Sequence, residues 1–141
     1  TNTTGVVSFT GVADGNYTAG FTVTNSTHLT QSIDIYDALA ILDYTTGALT
    51  PTSNEMIAGN VREDNKLDIY DFLDTLDMST GAITPGKTVL RDASLSAATY
   101  NSSDAVITNY SNVFAIAAGQ ALTLNTYLLG DIDGDYAGQI A

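Results

Sequence analysis

The chain has 141 residues, 16 of them Asp or Glu against four Lys or Arg, for a formal charge of −12. An apolar share of 44% and a mean hydropathy of +0.08 exclude wholesale disorder and leave room for one real core, not two. The negative sign disfavours nucleic acid and anionic membrane as partners, and no apolar run approaches the roughly 20 residues that span a bilayer.

Fourteen of the acids are Asp and only Glu55 and Glu63 are Glu. Asp is short and favours loops, where its oxygens stay close to the backbone, as Ca²⁺ loops require. Scattered residues such as Asp14, Asp92 and Asp104 read as turn chemistry. The absence of Cys removes disulfides, thiolate metal sites and Cys nucleophiles. Ser and Thr together number 31, a texture of secreted β-rich surface proteins. Sequons at Asn2, Asn16, Asn25, Asn101 and Asn109 offer acceptors for N-glycans, so an extracellular or cell-surface location is expected. The start at Thr1, with no Met or signal peptide, reads as a processed or excised piece.

In chain order, residues 1–25 read as a β-hairpin: VVSFTGV, an Asp14-Gly15 turn, then NYTAGFTVT with Tyr17, Phe21 and Val23 on one face. Residues 26–85 hold a repeat at an offset of 34, SIDIYDALAILDYTTGALTP against KLDIYDFLDTLDMSTGAITP, identical at 12 of 20 positions. Each copy predicts a short helix. Leu39, Ile41 and Leu42, or Phe72, Leu73 and Leu76, form the apolar stripe, and Asp37 or Asp71 lies in the first turn. Gly47 and Gly81 are placed for left-handed C-caps, with Pro51 and Pro85 four residues later. Helices this short are stable only when they bury their stripes against each other. Residues 86–130 alternate as short strands, and residues 131–141 form an acidic tail. The expected architecture is mainly β: one composite domain, a β-sandwich or barrel carrying a two-helix insertion between its second and third strands.

Ahead of the second helix, residues 60–71 fit a twelve-residue Ca²⁺ loop, whose oxygens come from positions 1, 3, 5, 7, 9 and 12. Those positions hold Asn60, Arg62, Asp64, the Lys66 carbonyl, Asp68 and Asp71. Arg62 is the misfit, because a guanidinium has no lone pair to donate and repels a cation.

This pattern, the Leu-rich helix after it and the near-duplicate copy resemble the type I dockerin family over roughly residues 26–85. The resemblance implies an extracellular module of paired Ca²⁺ loop–helix motifs that binds a protein partner through its helix faces. In the same register the first copy carries Ser26, His28, Thr30, the Ser32 carbonyl, Asp34 and Asp37. Only the last two are carboxylates, so its front half has decayed. His28, the chain's one His, reads as a surface or capping residue, since no second imidazole or thiolate exists to share a transition metal.

The tail supplies the opposite half. Asp131, Asp133 and Asp135 at spacing two, then the Ala137 carbonyl, match the front of a loop whose twelfth position falls beyond Ala141. Three carboxylates this close repel one another unless a cation joins them. The expectation is that the tail meets Asp34 and Asp37 to complete one split Ca²⁺ site, within one molecule or between two.

No nucleophile elbow, phosphate loop, dinucleotide glycine motif or zinc-protease motif is present, so a non-enzymatic role is expected. Two readings compete: a Ca²⁺-dependent building block that self-associates into a layer or filament, and a monomeric dockerin-type docking or adhesion module of a larger secreted protein.

Overall fold

The computed structural model describes residues 11–18, 32–92, 95, 97–101, 103–117 and 123–134. Strand β1 (Gly15–Tyr17) precedes helices α1 (Ile35–Thr46), α2 (Ser53–Gly59) and α3 (Ile69–Thr80). Strands β2 (Thr88–Asp92), β3 (Thr99–Asn101), β4 (Val106–Thr108), β5 (Phe114–Ile116) and β6 (Leu124–Leu128) follow.

The repeated helices α1 and α3 are closed by the same local chemistry. Asp34 and Asp68 are N-caps, and Asp37 and Asp71 reach back to the N-cap amides, making a capping box on each. Gly47 and Gly81 end them at φ 78° and 85°, a left-handed conformation in which a side chain is strained. The two helices pack on each other. Their buried faces match the expected stripes only in part: Ile41 is buried and Phe72 packs against the larger cluster. Ile41, Ala38 and Tyr44 point inward from α1, and Thr75 and Met78 from α3, whereas Leu39 and Leu73 stand 42% and 44% exposed. The inward face is set by Asp37 and Asp71, whose buried carboxylates hold the helix starts against the loops.

Helix α2 was not among the expected elements. Its signal is Thr52-Ser53-Asn54-Glu55, in which Thr52 caps the Glu55 amide and Glu55 caps the Thr52 amide.

The described strands form three two-stranded antiparallel sheets, β1 with β5, β2 with β6 and β3 with β4. The result is a small mixed α/β fold whose sheets do not close, and the expected sandwich or barrel is not formed among the described residues. Within them β1 pairs with β5, Gly15 opposite Ile116 and Tyr17 opposite Phe114, and Gly15 is part of the strand instead of a turn. Residues 6–10 and 19–24 of the predicted hairpin lie outside the described residues, and Gly11 and Val12 are not in a strand. The expected second strand falls largely on residues 19–24, outside the described residues, so the expected place of the helices between second and third strands lies outside them too.

Two apolar clusters hold the molecule together. Ile41, Tyr44, Met56, Ala58, Leu67, Ala98, Ile107 and Ile132 form the larger one. Ile33, Met78 and Leu128 form the smaller, with Val61 packed against it. Both clusters join residues of the repeat to strand or tail residues.

Candidate metal centre

Backbone and carboxylates cooperate in the 60–71 loop. The Asn60 Oδ1 accepts from the Asp64 amide at 3.2 Å, and the Asp64 Oδ1 accepts from the Lys66 amide at 3.1 Å. Asp71 is wholly buried; its Oδ1 accepts from the Arg62 amide at 3.2 Å and its Oδ2 from the Asp68 amide at 3.0 Å. Asn65 takes φ 58° at the sixth position, where such a loop needs its sharp turn and usually carries Gly. The Arg62 side chain leaves the loop. It forks onto Asp74 at 2.9 and 3.2 Å and lies 5.0 Å from the Tyr70 ring centroid. Position three therefore offers no oxygen to a cation: its amide donates to Asp71, while its charge is paired on α3.

The middle of the loop is strapped to the β3–β4 hairpin. The Leu67 amide donates to the Ala105 carbonyl at 2.9 Å, and the Ile107 amide donates to the Asn65 carbonyl at 2.8 Å. The Tyr100 hydroxyl donates to the Leu67 carbonyl at 2.8 Å.

The tail repeats the front of this loop at the start of α1. The Asp133 amide donates to the Asp37 Oδ1 at 3.3 Å, the counterpart of Arg62 on Asp71, and the Ile132 amide reaches the same oxygen at 2.8 Å. Gly134 has φ 71° where the other loop has Glu63 at φ 56°. A Cβ on Gly130 would meet Ile33 Cδ1 at 3.3 Å, and one on Gly59 would meet Leu67 Cδ1 at 2.8 Å. Gly130 and Gly59 each precede the first loop position, and Ile33 and Leu67 are the eighth positions. The second position of each loop packs with the eighth of the other, Ile132 with Leu67 and Val61 with Ile33. Residues 130–134 and 32–37 thus meet with contacts that parallel those within 59–71.

Asp37, Asp131 and Asp133 each bring an oxygen to a point where all three lie within 4.8 Å of one another. Asp37 and Asp131 are 2% and 5% exposed, and Asp133 is exposed. Burial pushes Asp37 up to about 7, and the charge of Asp133 adds to the rise while amides from Asp34, Asp133 and Ile132 oppose it. Burial likewise pushes Asp71 up to about 7, with Asp68 and Asp64 adding to it against the Asp68 and Arg62 amides. A hard divalent cation bound there would reverse both shifts by favouring the ionised form. The donor set, carboxylates and carbonyls without imidazole or thiolate, fits Ca²⁺, Mg²⁺ or Mn²⁺ chemistry and not a soft metal.

Among the remaining predicted ligands, Asp34 spends Oδ1 on the Tyr36 and Asp37 amides as the α1 cap. Asp68 does the same for Tyr70. Asn60, Asp64, the Lys66 carbonyl, Asp68 and Asp71 belong to one loop, but Asp64, Asp68 and Asp71 are not drawn as close as the Asp37 group. Asp135, Ala137, His28, Ser26 and Thr30 lie outside the described residues, as do the sequons at Asn2 and Asn25. Asn16, Asn101 and Asn109 are exposed; the Asn109 Nδ2 is engaged by the Ala97 carbonyl at 2.9 Å.

Comparison with protein-family models, with curated proteins and with solved structures returned no match. No helix among the described residues is long and apolar enough to cross a membrane.

Proposed function

We propose that this chain is an extracellular, non-enzymatic Ca²⁺-binding structural or interaction protein, in which bound ions stabilise the fold and promote association with other proteins. The observation that carries the reading is the three-carboxylate group of Asp37, Asp131 and Asp133, held by contacts that parallel those within Asn60–Asp71. An ion there ties the end of the chain to the repeated helices, and it lowers the self-repulsion of a molecule at −12. Self-association into a layer or filament follows from the same neutralisation.

A docking module is the second reading, and one pattern favours it. Ile35, Tyr36 and Leu39 on α1 are exposed, as are their repeat equivalents Ile69, Tyr70 and Leu73 on α3. Large apolar side chains repeated on a solvent face are what a protein partner would cover.

The test is thermal melting and light scattering of the purified chain in Ca²⁺ and in chelator. Ca²⁺ at about 100-fold over its Kd should add ~3 kcal/mol, or roughly 5–10 °C of melting temperature. Assembly only with Ca²⁺ supports the building block, and a stabilised monomer supports the docking module. No melting shift at millimolar Ca²⁺ removes both.

A further inference from the structure

The β3–β4 hairpin is held along one face. Lys66 bridges to Val106, the Leu67 amide bonds the Ala105 carbonyl, and the Ile107 amide bonds the Asn65 carbonyl. The Tyr100 hydroxyl reaches the Leu67 carbonyl on the same side. Asn101 follows Tyr100 at the end of β3, opposite Val106, so strand alternation sends its side chain to the other face. There it is exposed, as are Ser103 and Asp104 at the tip. None of the bonds that strap the hairpin to the 60–71 loop uses the Asn101 side chain.

This hairpin carries two N-x-Ser sequences, Asn101-Ser102-Ser103 and Asn109-Tyr110-Ser111, and their asparagines differ at the atom that matters. The Asn101 Oδ1 accepts from the Ser103 amide at 3.1 Å, an Asx turn that brings Ser103 back beside the Asn side chain. The Asn101 Nδ2 and the Ser103 hydroxyl have no partner among the described residues. At Asn109 the backbone is left-handed, φ 57°, and Nδ2 already donates to the Ala97 carbonyl at 2.9 Å. Tyr110 behind it is half-buried, and the Ser111 Oγ is engaged by the Val113 amide at 3.1 Å. A substituent on Nδ2 replaces one of its two hydrogens and is far larger than the amide. Asn101 accepts it at the loss of no bond, whereas Asn109 must hold it beside, or instead of, the bond to Ala97.

We infer that Asn101 carries an N-linked glycan, transferred from a polyprenyl-diphosphate oligosaccharide, in preference to Asn109. In the transfer, Nδ2 bonds to the anomeric carbon of the sugar as the bond from that carbon to the diphosphate oxygen breaks. The amide gives one proton to the transferase, and the lipid diphosphate is the leaving group. Whether transfer precedes or follows folding, the folded hairpin accommodates the product at Asn101 without rearrangement. The inference rests on the extracellular part of the reading above and not on its metal.

The test is peptide mapping by mass spectrometry of the full chain purified from its native source. Cleavage before Asp92, Asp104 and Asp131 separates the two asparagines into peptides 92–103 and 104–130. The 92–103 peptide should bear a saccharide, located on Asn101 by electron-transfer fragmentation, at several-fold higher occupancy than Asn109. In the same host Ser103→Ala should remove that saccharide and Ser103→Thr should keep it, since the transfer needs the hydroxyl and not the serine. Asn101→Gln should remove it while moving the melting temperature by less than about 2 °C, as expected of an exposed side chain outside the strap. A bare 92–103 peptide, a saccharide confined to its Ser or Thr side chains, or occupancy of Asn109 equal to or above that of Asn101 overturns the proposal. The melting response to Ca²⁺ is read separately, so a failure here leaves the metal reading standing and the reverse.

Discussion

The Asp133 amide and the Asp37 carboxylate are 96 residues apart in the chain and 3.3 Å apart in space. That contact brings together two segments that each look, in sequence, like an incomplete loop. The capping box at α1 already fixes Asp37 through the Asp34 amide at 2.9 Å, so the tail arrives at a preset oxygen. Loss of either carboxylate should therefore affect one shared ion. Asp37→Asn and Asp133→Asn are each expected to reduce the Ca²⁺-induced rise in melting temperature by half or more. The double variant should lose little beyond the worse single one, because residues acting on one ion are not additive. Fully additive losses, measured by calorimetric titration, would mean that the two carboxylates bind separate ions.

Protonation should oppose metal at the same groups. Asp37 and Asp71 sit near 7 in the folded chain, above the ordinary carboxylate value they regain on unfolding. The folded state therefore binds more protons between about pH 4 and pH 7, and metal-free stability from these groups is full below that window. It is lost as the pH rises through about 7. In chelator the melting temperature should fall from pH 5 to pH 8. With saturating Ca²⁺ the fall should flatten or reverse, because the ion binds the ionised carboxylates and releases their protons. Parallel pH profiles with and without Ca²⁺ would contradict this linkage.

Much of the helical part was legible because its signals are local. Asp37 and Asp71 in the first turns and Gly47 and Gly81 at the ends are read from neighbours a few residues away, whereas the N-cap role of Asp34 and Asp68 was not read. The capping box Thr52–Glu55 was equally local, and its four-residue signature would have given α2. The orientation of α1 and α3 was harder. Leu39 and Leu73 look like core by hydropathy, yet buried Asp37 and Asp71 turn them outward, since an amide-bonded carboxylate outranks one Leu at this packing site. Strands of three residues carry almost no periodicity, so β3 was missed and the sheets could not be assembled from pattern alone. The complementary halves of the split loop were visible as residue types at fixed spacing. Their meeting within one chain depends on Gly130, whose amide bonds the Ala58 carbonyl at 2.8 Å, a contact no local pattern encodes.

Thr75 offers a substitution of opposite sign. It is fully buried on α3, and its Oγ1 has no hydrogen-bond partner among the described residues. The equivalent position in the first repeat is Ile41, also fully buried. An unsatisfied buried hydroxyl costs about 1–3 kcal/mol, and Val keeps the β-branched shape without it. Thr75→Val should raise stability by ~1 kcal/mol in urea unfolding without altering the size of the Ca²⁺ effect. A loss of stability would show that the hydroxyl is solvated or bonded in solution.

The glycines preceding the two loops should be the most sensitive positions outside the carboxylates. A Cβ on Gly59 would fall 2.8 Å from Leu67 Cδ1 and 3.2 Å from Ile132 Cδ1, two residues of the larger cluster that belong to different loops. A Cβ on Gly130 would press on Met78 Sδ at 3.2 Å and Ile33 Cδ1 at 3.3 Å, with the backbone at φ 100°, where an Ala is strained whatever the space. Overpacking costs about 1–3 kcal/mol, and the left-handed strain adds ~1–3 kcal/mol. Gly130→Ala should therefore destabilise more than Gly59→Ala in chelator. It should also lower the Ca²⁺ response more, because it displaces the residue that feeds Asp131 and Asp133 toward Asp37. Gly59→Ala acts through Leu67 and Ile132 and should lower the response of both loops by a similar, smaller factor. Urea unfolding with and without Ca²⁺ separates the two effects, and equal midpoints for the two variants in chelator would remove the role assigned to the Gly130 backbone.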